Sequence, residues 1–153
     1  AWQPTFPRAQ YLFAEDEWQH WRHEAQEYGP VIEDSVQPIF DAGQAVIVPQ
    51  HHQVTSEVSL QPTPGHTPGH VSVHIQSNGE AGIITGDMIH HPCQIAHPHW
   101  STLADTDPAA AADTRTEFLQ RYGDRPVLVI GTHFAAPTAG HIVKDGDAYR
   151  LSY

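Results

Sequence analysis

Three short turns in this sequence each end a β-rich segment in a side chain suited to metal ligation. They are Thr63-Pro64-Gly65-His66-Thr67-Pro68-Gly69-His70, Thr85-Gly86-Asp87 and Gly131-Thr132-His133. Strand ends are stiff, and small turn residues let the backbone bring imidazoles and a carboxylate together without steric interference, as metal coordination requires. Two imidazoles and one carboxylate suit zinc, iron or manganese. The set lies in a chain with 13 histidines against 7 lysines and arginines, most of them between His51 and His141.

The elements that must hold these turns can be read from periodicity. Tyr11 to Phe13 suits a strand, and from Glu15 to Tyr28 the residues Trp18, Trp21, Ala25 and Tyr28 recur at helical spacing until Gly29-Pro30 ends the run. Val31 to Phe40 predicts a helix kinked at Pro38. Strands are predicted over Ala45 to Val48, Val58 to Pro62 and His70 to Gln76, and an Asn78-Gly79 turn folds the last of these onto Ala81 to Thr85. Met88 to Asp107 is a long His- and Pro-rich stretch, of the length at which loops are often functional. Pro108 to Tyr122 predicts a helix capped by Asp107 that buries Phe118, Leu119 and Tyr122. Val127 to Ile130 reads as a strand buried on both faces, and His141 to Leu151 as a hairpin about an Asp-Gly turn.

Composition narrows the class. The length of 153 residues predicts a single domain over 1–153. A formal charge of −11 argues against nucleic acid or an anionic membrane as partner. No apolar run reaches the length of a membrane span, and the first residues lack the pattern of a signal peptide. Cys93 is the only cysteine, so no intrachain disulfide forms and a cytoplasmic location is the expectation.

The Pro-Gly-His-Thr-Pro-Gly-His element, the hairpin into Thr-Gly-Asp, the helix and then Gly-Thr-His follow one another as in the C-terminal half of the metallo-β-lactamase fold, which this chain resembles from Val58 onward. The stretch His133-Phe134-Ala135-Ala136-Pro137 and the aromatic N-terminal segment resemble the lactonase, esterase and organophosphate-hydrolase branch. The resemblance implies an α+β fold: one half of the αβ/βα sandwich, a mostly antiparallel sheet with flanking helices. It further implies that His66 ligates one metal, Asp87 bridges two and His133 ligates the second, with zinc, iron or manganese bound, fully or in part. The implied activity is hydrolysis of an ester, lactone or phosphoester by a metal-bound hydroxide. His70 is then a supporting residue, and His90, His91 and Phe134 fall near a pocket wall.

The family's upstream His-x-His-x-Asp-His motif does not occur in this sequence, and His90-His91 and His97-Pro98-His99 lack the Asp-His that should follow. Three expected ligands remain. The resemblance therefore implies an uncovered apolar sheet face, closed by a second copy of the chain or by a complementary N-terminal half. The contrasting expectation is a catalytically inactive, truncated homologue acting as a dimeric scaffold or as a metal- or ligand-binding module. His20 and His23 lack the spacing of four that a helical zinc pair needs and read as a solvent face, whereas Trp18 and Trp21 read as packing. Cys93 has no companion cysteine and no activating base evident beside it.

Overall fold

The computed structural model describes residues 2–23 and 29–153. The chain forms two compact units, one ending at Pro49 and the other running from Gln50 to Tyr153. Among the described residues no helix is long and apolar enough to cross a membrane.

In the first unit, β1 (Tyr11–Ala14) leads directly into α1 (Glu15–Trp21), whose first turn holds Glu15, Asp16 and Glu17 at the positive end of the helix dipole. The sequence predicts this helix through Tyr28. Arg22 caps it after Trp21, His23 lies in a turn, and Ala25 and Tyr28 fall outside the described residues. The kink expected at Pro38 is a change of helix type. A π-helical segment over Ile32–Val36 runs into α2 (Gln37–Asp41), where Pro38 occupies the first turn. Then β2 (Ala45–Val48) pairs in parallel with β1. Phe40 stacks on Phe13 and Trp18 at ring-centroid distances of 5.5 and 4.5 Å, which gives Trp18 the packing role expected of it.

The second unit is a six-stranded sheet in the spatial order β3 (Val58–Pro62), β4 (Val71–Ser77), β5 (Glu80–Ile84), β6 (Val127–Ile130), β7 (Ala139–Asp145) and β8 (Ala148–Ser152). Neighbours are antiparallel except β5 and β6. A parallel pair needs a crossover, and the chain between them carries α3 (Cys93–Ala96) and α4 (Pro108–Tyr122). The α+β class expected from the sequence is therefore the observed one. Asn78 and Gly79 take φ of 52° and 84°, the left-handed pair that a tight hairpin turn requires. Asp107 caps α4 by accepting the Ala109 and Ala110 N–H groups at 3.0 Å each, with Pro108 at the first helical position.

Alternation along the strands separates two faces of the sheet. Ile83, Val129, Ile142 and Leu151 pack with Phe118 and Leu119 of α4 and with Met88, Ile89 and Ile95 in one buried cluster. On the opposite face stand Leu60, Val73, Ile75, Ile84, Leu128 and Ile130, none of them buried. This corrects the expectation that β6 is covered on both sides. Val129 is fully buried while its neighbour Leu128 is 39% exposed, because the side chains of α3 and α4 join only the face that Val129 occupies.

Candidate metal centre

Each of the three turns is fixed by a close approach that its glycine permits. Between β3 and β4, Gly65 adopts φ of 129°, and a Cβ there would stand 2.2 Å from the Ala111 nitrogen of α4. The turn is thereby seated on the start of α4, with the carbonyls of Gly65 and His66 accepting the N–H groups of Asp107 and Thr106 at 2.9 Å. After β5, Gly86 opens a 3-10 turn over Gly86–Met88 with φ of 58°, and a Cβ would lie 2.6 Å from His70 Nε2. That proximity lets His70 Nε2 accept the Asp87 backbone N–H at 2.9 Å. The His70 proton is therefore on Nδ1, which lies 2.8 Å from Thr63 Oγ1 and 3.1 Å from the Thr63 carbonyl. After β6, a Cβ on Gly131 would meet the Phe134 ring at 2.2 Å, so the chain turns tightly over Phe134 to present His133.

These turns bring His66, Asp87 and His133 together as the spacing predicts. Asp87 Oδ1 is 3.0 Å from His133 Nε2, and Asp87 Oδ2 is 3.4 Å from His66 Nε2. On its other side, His66 Nδ1 lies 3.3 Å from Asp105 Oδ1. The buried Asp105 carboxylate is paired in turn with the fully buried Arg115, at 3.4 Å from Nη1 to Oδ2. Arg115 also donates to the carbonyls of Pro98 at 2.7 Å and Met88 at 3.3 Å and to Ser101 Oγ at 3.2 Å, which staples the 88–107 segment to α4.

His90 stands among these groups, with its ring centroid 5.0 Å from that of His66 and 5.0 Å from that of His133, the latter pair nearly parallel at 13°. Burial holds the His90 pKa below the ordinary histidine value, helped by the neighbouring His66 and His133 and opposed by Asp87 and Asp105. That direction favours the neutral imidazole, the state in which it ligates. Among the described residues its buried Nδ1 has no hydrogen-bond partner. Among the described residues, two sets each have their donor atoms within 4.8 Å of one another: Asp87, His90 and His133, and His66, His90 and Asp105. Histidine nitrogens and carboxylate oxygens at such separations, with an unsatisfied buried nitrogen among them, fit a divalent cation.

The remaining residues singled out by sequence are placed as follows. His70 supports Asp87 and spends Nε2 on its backbone, away from ligation. His91 is exposed, and its Nδ1 accepts the Cys93 N–H at the start of α3. Phe134 is 5% exposed and belongs to the hydrophobic cluster. His97 and His99 are exposed, and His97 stacks on Trp100 at 4.3 Å. Asp105 and Arg115 escaped the sequence reading. The available signal was Arg115 itself, a charged residue at helical spacing with Ala111, Phe118 and Leu119 and hence on the buried face of α4.

Fold and site together define an α+β protein with a histidine and carboxylate cluster at its strand ends. Residues 6–133 match the model of the metallo-beta-lactamase superfamily, and the chain belongs to that superfamily. Its mostly antiparallel sheet and helices correspond to half of that fold. Among solved structures it is similar to AidC, a dizinc quorum-quenching lactonase in complex with a product, N-hexanoyl-L-homoserine, at 21% identity and a TM-score of 0.81, covering 98% of this chain and 56% of that one. It is also similar to the hydrolase AbOPH of the beta lactamase superfamily, at 24% identity and a TM-score of 0.83, covering 95% and 55%. A third is a probable metal-dependent hydrolase from Staphylococcus aureus, at 20% identity and a TM-score of 0.72, covering 98% and 55%. The chain spans little more than half the length of these proteins. No curated protein matches the sequence.

Proposed function

We propose that this chain carries the C-terminal part of a divalent-metal-dependent hydrolase that cleaves an ester, lactone or phosphoester bond. The observation that carries this reading is the placement of Asp87, whose Oδ1 faces His133 at 3.0 Å and whose Oδ2 faces His66 at 3.4 Å. A carboxylate that faces both imidazoles is placed where it would be shared between cations held at His66 and at His133. His66, Asp87 and His133 hold the metal, zinc first and iron or manganese by the same donor chemistry. When bound, the cation lowers the pKa of a water molecule and polarises the carbonyl or phosphoryl oxygen of the substrate.

The chain's own residues do the positioning. His70 fixes the Asp87 backbone, and Asp105 orients His66 through Nδ1 so that Nε2 faces Asp87. The lactonase and hydrolase neighbours support the substrate class. The apolar face carrying Leu60, Val73, Ile84 and Leu128 supports a partner, either a second copy of the chain or a complementary N-terminal half. A single cysteine fits a cytoplasmic setting.

A second reading, an inactive dimeric scaffold or metal-binding module, is favoured by the division of three family-type donors between two cation positions. Zinc-loaded chain assayed on an aryl ester, an acyl lactone and a phosphotriester separates the two. Turnover that disappears in Asp87→Asn supports the hydrolase; stoichiometric zinc with no turnover on any of the three supports the second reading.

A further inference from the structure

We propose that His90 is itself a metal ligand and that Asp87, His90 and His133 form a complete three-ligand cation site within this chain. The inference rests on the reading of Asp87 and His133 as metal ligands and adds a residue that the family pattern does not supply. One donor atom from each of the three residues lies within 4.8 Å of the other two, and the Asp87 to His133 edge is already 3.0 Å. Donors around a tetrahedral zinc, with bonds of about 2.0–2.1 Å, stand roughly 3.4 Å apart. Small side-chain rotations therefore bring the set to bonding geometry. Two imidazoles and a carboxylate with a fourth position open are a donor set that zinc accepts.

His90 has the local structure of a held ligand. Its backbone N–H is tied to Gln94 Oε1 at 2.8 Å, and the Gln94 side chain is anchored to the Trp100 carbonyl at 2.8 Å. Its ring lies between those of His66 and His133, yet its buried Nδ1 finds no hydrogen-bond partner among the described residues. A buried imidazole nitrogen without a partner costs free energy that a cation recovers. The alternative set of His66, His90 and Asp105 is less suited, because Asp105 already neutralises the buried Arg115. Asp105 serves instead to orient His66, whose Nε2 faces the same Asp87 carboxylate.

The test is zinc binding by the whole chain, measured in competition with a chromophoric chelator, with catalysis not required. Loss of a residue that merely orients a ligand lowers metal affinity about 10–100-fold, so His90→Ala should weaken zinc binding by at least about 100-fold, while His91→Ala leaves it unchanged. A second measurement needs no variant: on zinc addition to the wild-type chain, the 15N resonances of the His90 ring should shift as those of a metal-bound imidazole. Wild-type affinity in His90→Ala, or a His90 ring unmoved by zinc, overturns the proposal. If Asp87→Asn abolishes binding in that same series, the underlying reading of Asp87 and His133 survives. A wild-type chain that takes up no zinc overturns both.

Discussion

Replacing Arg115 by Met tests whether the 88–107 segment is held by a buried ion pair. Methionine is unbranched and apolar and stops short of the guanidinium, so it keeps the packing of the aliphatic stem and removes the charge with its hydrogen bonds. Arg115 has no exposed surface, its Nη1 is 3.4 Å from Asp105 Oδ2, and it serves the Pro98 and Met88 carbonyls and Ser101 Oγ. Removing one partner of a buried pair strands the other, which costs about 3–5 kcal/mol. Spread over a chain of this size, that loss lowers the melting temperature by about 6–20 °C. Urea unfolding should give the same range, and adding Asp105→Asn to Arg115→Met should recover a large part of it by removing the stranded charge. Zinc affinity should fall about 10–100-fold in both variants, since His66 loses its Asp105 carboxylate or that carboxylate loses its anchor. An Arg115→Met chain within about 1 kcal/mol of wild type would refute the account, since that is the cost of an exposed pair.

His70→Phe removes the acceptor of the Asp87 N–H and should destabilise the chain by about 1–3 kcal/mol in urea unfolding, with weaker zinc binding. In the metal-free chain, the lowered pKa of His90 gives a signed pH dependence. Its contribution to stability is present above the unfolded value of 6.5 and is lost as pH falls through the lower folded value, so urea midpoints should drop in mild acid and His90→Phe should flatten that drop. If a second copy covers the apolar sheet face, light scattering should give twice the chain mass, and Leu128→Lys should return it to one. A monomeric wild type would remove the homodimer and leave the complementary N-terminal half.

The elements of the second unit were legible because their signals are local. Asn78-Gly79 can make only a tight turn at little cost, Asp107-Pro108 is a helix start, and alternation in Val71, Val73 and Ile75 sets a strand. His66, Asp87 and His133 were legible for a related reason: each sits at a strand end marked by glycine, where the backbone rather than distant packing fixes the side chain. What escaped depends on tertiary contact. Leu128 looks as apolar as Val129, and only the position of α4 decides which of them is covered. His90 and His91 are adjacent and chemically identical, but the backbone sends one ring between His66 and His133 and leaves the other exposed beside Cys93. Asp105 needed its partner ten residues away on a helix.

The site's geometry follows from the second unit alone. The His66 turn rests on the N-terminus of α4, the Asp87 turn is locked to His70 at the start of β4, and the His133 turn folds over Phe134 in the core. Each anchor lies between Gln50 and Tyr153, so no residue of the first unit is needed to bring Asp87 to His66 and His133. The cluster of candidate ligands is therefore set up within a chain that spans little more than half the length of its structural neighbours. Substrate recognition is a different matter, because it needs walls as well as ligands, and Asp87 and His133 keep 39% and 47% of their side-chain surface open to solvent. The two properties should separate in experiment. Zinc binding should persist in the isolated chain, while turnover rises when a second layer closes over those exposed side chains.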